Sequence, residues 1–83
     1  MVDFKGLSVL EVGCGEGRLT WRYADNAAQV TAIDPDGKAI ETARANVPER
    51  LGARVRFLES KIEDFVKSSG DQRFDMAIFG WSL

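Results

Sequence analysis

At 83 residues the chain is short, and a body of this size buries only about 60% of the surface that its unfolded form exposes, so its core is thin. Eleven Lys and Arg against thirteen Asp and Glu leave a net charge of −2, which excludes a basic footprint for nucleic acid on this segment, and no run approaches the roughly 18 apolar residues of a membrane span. Histidine is absent, so there is no imidazole base and no imidazole metal ligand, and the single cysteine forms no internal disulfide, which suits a cytoplasmic protein.

Residues 1–6 read as a lead-in, followed by an apolar run too short, and too soon interrupted by Glu11, to be a signal peptide. Residues 7–12 predict a first strand, since Val9, Leu10 and Val12 suit a buried one. Gly13, Gly15 and Gly17 then alternate, and residues without a Cβ let the chain turn tightly and bring bare backbone against a ligand. Leu19, Tyr23 and Ala27 recur every four residues, with Trp21 and Ala24 beside them, as on one face of a first helix that Asp25 and Asn26 loosen.

A second strand, residues 29–33, stops at Asp34-Pro35-Asp36-Gly37, where Pro35 cannot donate to a ladder and Asp36 is a good helix N-cap. The second helix runs from Lys38 to Asn46 or Val47, with Ala39, Ile40, Ala43 and Val47 at helical spacing and Lys38, Glu41 and Arg44 on the wet side. Pro48 ends it, because the residue before a proline is pushed out of the helical region. Gly52 bends the connection into a third strand at residues 54–58, and a short helix at 62–68 turns Ile62, Phe65 and Val66 inward. Gly70-Asp71 form a turn, and the near-continuous apolarity of residues 74–80 predicts a fourth strand buried on both faces of a parallel sheet.

Strands alternating with helices in this way predict an α/β fold, a doubly wound parallel sheet with right-handed crossovers and helices on both faces. No repeat, low-complexity tract or linker interrupts it, so residues 1–83 read as one domain. Ligands of such sheets settle beyond the carboxyl ends of the strands, where the strand order reverses.

The glycine spacing narrows the ligand. A phosphate-binding P-loop needs Lys and then Ser or Thr after its last glycine, and here Arg18-Leu19 follow Gly17. The dinucleotide fingerprint G-x-G-x-x-G sets its third glycine three places after the second, whereas this one comes a place early, giving Glu11-x-Gly13-x-Gly15-x-Gly17. With the acid two places before the first glycine, the segment resembles motif I of the class I S-adenosylmethionine-dependent methyltransferases. The resemblance covers almost the whole chain but only the first half of the family's domain. It implies a Rossmann-like sheet whose first four strands stand in the order 3-2-1-4, incomplete beside the family's seven. A chain truncated after its fourth strand would leave that strand as an apolar edge, which seeks either the rest of a longer enzyme or a second chain, so self-association through this edge is an expectation.

The resemblance also implies where the cofactor, S-adenosylmethionine, would lie. Gly13, Gly15 and Gly17, with Cys14 as a small filler between them, would set backbone against its methionine part and ribose. Glu11 would act on its amino group or brace the loop; the alternative is a strand-end carboxylate that caps backbone amides. Asp34 ends the second strand, and one ionised carboxylate can accept from both vicinal hydroxyls of a ribose. Nicotinamide-dinucleotide enzymes also use an acid about twenty residues on, so Asp34 alone does not separate the cofactors. Pro35 and Asp36 follow where the family's chain passes along the adenine edge.

After the third strand the family commonly has Gly-Asp-Ala, and this chain has Ser60-Lys61-Ile62-Glu63-Asp64, with Lys61 in the acid's place. Ile62 would offer a backbone amide and an apolar face, and Glu63 or Asp64 would accept from the adenine amino group or stand exposed at a helix start. Gly80-Trp81-Ser82 fall where the family flanks the transferred methyl group, with Trp81 either walling that site or covering an apolar edge. They do not match the Asn/Asp-Pro-Pro-Tyr/Phe motif of amino-methylating relatives. The function this implies is methyl transfer to an unidentified acceptor, a small molecule being favoured. The alternatives are a cofactor-binding half-domain without activity of its own and a nicotinamide-dependent segment, which the glycine spacing disfavours.

Overall fold

A computed structural model describes residues 5–17, 19–69 and 73–80. The strands are β1 (Ser8–Val12), β2 (Gln29–Asp34), β3 (Val55–Glu59) and β4 (Met76–Phe79). Between them lie α1 (Thr20–Tyr23), α2 (Gly37–Asn46), a 3₁₀ turn at Glu49–Leu51 and α3 (Ile62–Ser69). The four strands form one parallel sheet in the order β3-β2-β1-β4. In its register Glu11 stands between Ala32 of β2 and Ile78 of β4, and Val12 between Ile33 and Phe79.

Side chains alternate across a strand, so β1 feeds two cores. Val9 joins Val30, Ala32, Val55 and Phe57 on one face, where Tyr23, Ala24 and Ala27 and then Ile40 and Ala43 of α2 cover them. Leu10, Val12 and Ile33 point to the other face and meet Phe65 of α3, with Leu58, Ile62 and Phe74 at the margin. The first two crossovers thus lie on one face and the third on the other. The chain winds outward from β1 in both directions, which opens a crevice beyond the carboxyl ends of β1 and β4.

Local chemistry sets the element ends. The Asp36 carboxylate accepts from the backbone amides of Lys38 and Ala39 at 3.0 and 3.3 Å, starting α2. Val47, ahead of Pro48, is extended at ψ 126°, stopping it. The Arg54 guanidinium donates to the Asp25 and Ala27 carbonyls at 2.7 and 3.3 Å, tying the turn after α1 to the entry of β3. Arg44 reaches from α2 to the Phe57 carbonyl at 2.6 Å and so occupies an acceptor on the edge strand β3. Among the described residues no helix is long and apolar enough to cross a membrane.

Three expectations of burial are corrected. Leu19 is 37% exposed, because the short α1 turns Thr20 and Tyr23 to the core instead. Val66 of α3 is 61% exposed while Phe65 beside it is buried. β4 is not buried on both faces: Met76 and Ile78 are half-buried, whereas Ala77 and Phe79 are exposed, Phe79 by 60%. Ala77 and Phe79 share the face of Leu10 and Val12, the two β1 residues that pack with Phe65 of α3. The expected lead-in at residues 1–4 and the turn at Gly70-Asp71 lie outside the described residues.

Ile33 is fully buried at the centre of the smaller core. Ile33→Ala is expected to cost about 3 kcal/mol, through lost transfer energy and the cavity left behind, read as a lower urea midpoint. A change under about 0.5 kcal/mol would show that α3 does not close over the sheet as described.

Candidate functional site

The loop after β1 is bent at its glycines. Gly13, Gly15 and Gly17 have φ of 81°, 55° and 93°, and among the described residues no other residue type has a positive φ. Only a residue without a Cβ holds that conformation cheaply. The Gly13 and Cys14 amides both donate to the Ile33 carbonyl, at 2.8 and 3.1 Å, so the loop hangs over the end of β2.

The glycines differ in what surrounds them. A Cβ on Gly15 would meet nothing within 4 Å, so this residue borders open space. A Cβ on Gly17 would come 2.8 Å from the Trp21 ring and 3.4 Å from that of Phe57. Gly17 is bare so that Trp21 can pack edge-on against Phe57, with ring centroids 5.5 Å apart.

Asp34 ends β2 beside this loop and binds it. One carboxylate oxygen accepts from the Gly15 amide at 2.9 Å and the other from the Asp36 amide at 2.8 Å. The two residues on which the sequence reading chiefly depends are therefore in contact. Next to them is a cleft of about 260 Å³ lined by Gly13, Pro35, Ile62 and Glu63 over a floor of Val12 and Ile33. A wider hollow of about 560 Å³ lies along α2 and Glu59, and none of the loop glycines lines it.

Glu11 is fully buried. Its Oε1 accepts from the Thr20 hydroxyl at 2.6 Å and the Tyr23 hydroxyl at 2.7 Å, while Oε2 is buried with no hydrogen-bond partner among the described residues. A Cβ on Gly80 would lie 2.8 Å from Oε2 and 3.0 Å from the Gly13 carbonyl, so this buried oxygen faces Gly80, the residue that follows β4. The donors to Glu11 are hydroxyls and not the backbone amides of the alternative reading.

Sequence reasoning missed Thr20 altogether and took Tyr23 for an apolar contact. The signal was there: a buried acid demands donors, and two hydroxyls stand one helical turn apart just downstream. Burial and the nearby Glu11 push the Tyr23 hydroxyl well above its ordinary range. Burial pushes the Cys14 thiol up to about 12, with Glu11 and Asp34 adding to it.

The structure brings Glu11, Gly13, Cys14, Gly15, Asp34, Pro35, Ile62, Glu63 and Gly80 to one end of the sheet and spends Gly17 on packing. Trp81 and Ser82 lie outside the described residues. Among the described residues no group of three His, Cys, Asp or Glu side chains is placed to hold a metal ion.

A glycine-bent loop and a strand-end acid meeting at the crevice of a doubly wound sheet define a class of nucleoside-binding α/β proteins. Within that class, residues 9–83 match the family described as methyltransferase domain, and the chain belongs to the class I S-adenosylmethionine-dependent methyltransferases, whose cofactor is S-adenosylmethionine. It is 37% identical over 76 residues to a ubiquinone biosynthesis O-methyltransferase of Rickettsia conorii, an alignment covering 92% of this chain and 25% of the relative. It is 41% identical over 58 residues to the enzyme of that name from Nitrosospira multiformis, covering 70% and 24%. The chain therefore spans about a quarter of the length of these relatives.

Among solved structures, the plantazolicin methyltransferase BpumL in complex with SAH is similar at a TM-score of 0.70 and 26% identity, over 88% of this chain and 26% of that one. The [4+2]-cyclase SpnF is similar at 0.71 and 36%, over 88% and 27%. The family and the strand order agree with what the resemblance to motif I implied.

Thiolate is the reactive form of cysteine, so Cys14 is expected to resist alkylation in the folded chain at pH 8 and to react promptly in urea. An unfolded thiol ionises near about 8.5, so folded chains keep a proton that unfolded ones release. The stability this contributes is intact below about pH 8.5 and is lost as the pH rises towards 12. Urea midpoints that do not fall between pH 9 and 11 would contradict this.

Proposed function

We propose that this chain is the cofactor-binding part of a methyltransferase that moves a methyl group from S-adenosylmethionine to a small-molecule acceptor. The observation that carries the reading is the Gly15–Asp34 contact, which joins the bent loop to the strand-end acid beside an open cleft. The residues fit such a cofactor in three respects. Gly15 borders open space, the Asp34 carboxylate has accepting capacity beyond its two amides, and Glu11 Oε2 is a buried acceptor that has no donor among the described residues.

Bound there, S-adenosylmethionine supplies an already activated methyl group, so the protein's work is alignment and exclusion of water. Asp34 would accept from the ribose hydroxyls, and Glu11 would attract the amino group. Gly13, Cys14 and Gly15 would lie along the cofactor, and Pro35 and Ile62 would flank the base. Glu63 would accept from the adenine amino group, and bare Gly80 would leave the crevice open. A small-molecule acceptor is supported by the relatives named ubiquinone biosynthesis O-methyltransferase. A cytoplasmic location suits a chain whose one cysteine is a buried free thiol.

A second reading, cofactor binding without methyl transfer, is favoured by the likeness to the [4+2]-cyclase SpnF. A methyl-transfer assay separates the two. Self-association through the outer side of β4 is supported by Ala77 and the 60% exposed Phe79, and sedimentation showing only monomer at micromolar concentration would remove it.

Calorimetric titration with S-adenosylmethionine, S-adenosylhomocysteine and NAD tests the main reading. The first two are expected to bind and NAD not, with Asp34→Ala weakening both about tenfold or more. Preference for NAD, or undiminished binding by the variant, would overturn the ribose assignment.

A further inference from the structure

We propose that Thr20 and Tyr23 are positioning residues whose hydroxyls pin Oε1 of Glu11 and so present Oε2 to the ammonium group of the cofactor. The inference rests on the role given to Glu11 under Proposed function and adds what aims it. Glutamate has free torsions that would let its carboxylate swing or spin, and both hydroxyls donate to the same oxygen, at 2.6 and 2.7 Å. That pair of bonds fixes the carboxylate and leaves the other oxygen buried and facing Gly80, near which the Gly13 carbonyl also stands, so only the absence of a Cβ at Gly80 keeps its approach clear. Leaving an acceptor of a fully buried carboxylate without a donor is costly, and the cost is relieved by whatever donor enters the crevice. An ammonium group carries three donors and a positive charge, and it meets such an oxygen directly or through one water.

The neutrality of the two partners matters. An Arg or Lys in their place would pair with Glu11 and cancel its pull on a cation, whereas hydroxyls satisfy one oxygen and leave the charge uncancelled. Burial keeps the Tyr23 hydroxyl protonated across the working pH range, so it stays a donor. Thr20 and Tyr23 are the two buried residues of α1, so this helix turns its hydroxyl side to the acid.

Two ligands separate the amino-acid end of the cofactor from its nucleoside end. S-adenosylhomocysteine carries the ammonium group, and 5′-methylthioadenosine has the same nucleoside and thioether without it. For Thr20→Val and Tyr23→Phe we expect calorimetric affinity for S-adenosylhomocysteine to fall about tenfold, affinity for methylthioadenosine to stay within about twofold, and Thr20→Ser to restore the first. Equal weakening of both ligands would assign the pair a merely structural role, and no weakening of either would leave Glu11 aimed by something else; each result overturns the inference. If the unaltered protein binds neither ligand, the cofactor reading itself fails, which is a distinguishable outcome.

Discussion

One carboxylate without solvent contact governs how the first helix meets the sheet. Glu11 lies on β1, one of the two strands flanked on both sides, and a charge buried there requires donors from whichever segment covers it. The covering segment is α1, which supplies Thr20 and Tyr23 and is thereby fixed in rotation about its own axis. That rotation sends Leu19 outward and carries Trp21 onto the ring of Phe57. Trp21 in turn leaves no room for a Cβ on Gly17. A single polar requirement therefore propagates through Thr20, Tyr23, Leu19 and Trp21 to Gly17 and accounts for one of the three loop glycines without any ligand.

The second acid performs a comparable task in a wetter place. Asp34 is half-buried and divides its oxygens between the Gly15 amide in the loop and the Asp36 amide ahead of α2. Asp36 then caps the helix proper through Lys38 and Ala39. Because β1 and β2 are parallel and adjacent, both connections leave from the same end of the sheet, and one side chain can register the loop against the helix start. The loop is further held by two amides sharing the Ile33 carbonyl. Its three left-handed residues are stabilised by these bonds, which over-determine a conformation that other residue types avoid.

What the sequence made legible was mostly local chemistry. The Asp36 cap, the stop at Pro48 and the alternation of elements each follow from residue types and spacings within a short window, whereas the approach of Gly15 to Asp34, 19 residues apart, followed from the doubly wound fold and the family resemblance. The strand order came from the glycine spacing through the family it resembles. The misplacements have a common physical origin, since counting apolar residues at helical spacing assigns every one of them to the core. It cannot register that a buried acid on another element will outbid Leu19 for the inner face, nor that Val66 and Phe79 stay more than half exposed. Thr20 was overlooked because its value lies in one hydroxyl and not in its place in a periodic pattern.

The two acids differ in a way that bears on what can bind beside them. Glu11 is satisfied at one oxygen only and by neutral hydroxyls, and Asp34 by neutral backbone amides at both. Among the described residues neither carboxylate accepts from a cationic side chain, whereas Arg50 and Asp25 form an exposed salt bridge away from this end of the sheet. Cys14 between them is driven towards its neutral form by burial and by the same two charges, so it adds no negative charge of its own below strongly alkaline pH. This end of the sheet therefore concentrates two accepting groups at different depths, one buried and suited to a compact cation, the other at the surface and suited to paired hydroxyls. On the proposed reading these are the amino group and the ribose of one molecule, and the depth difference is what would orient it, with its amino-acid end inward and its nucleoside along the Pro35 and Ile62 cleft.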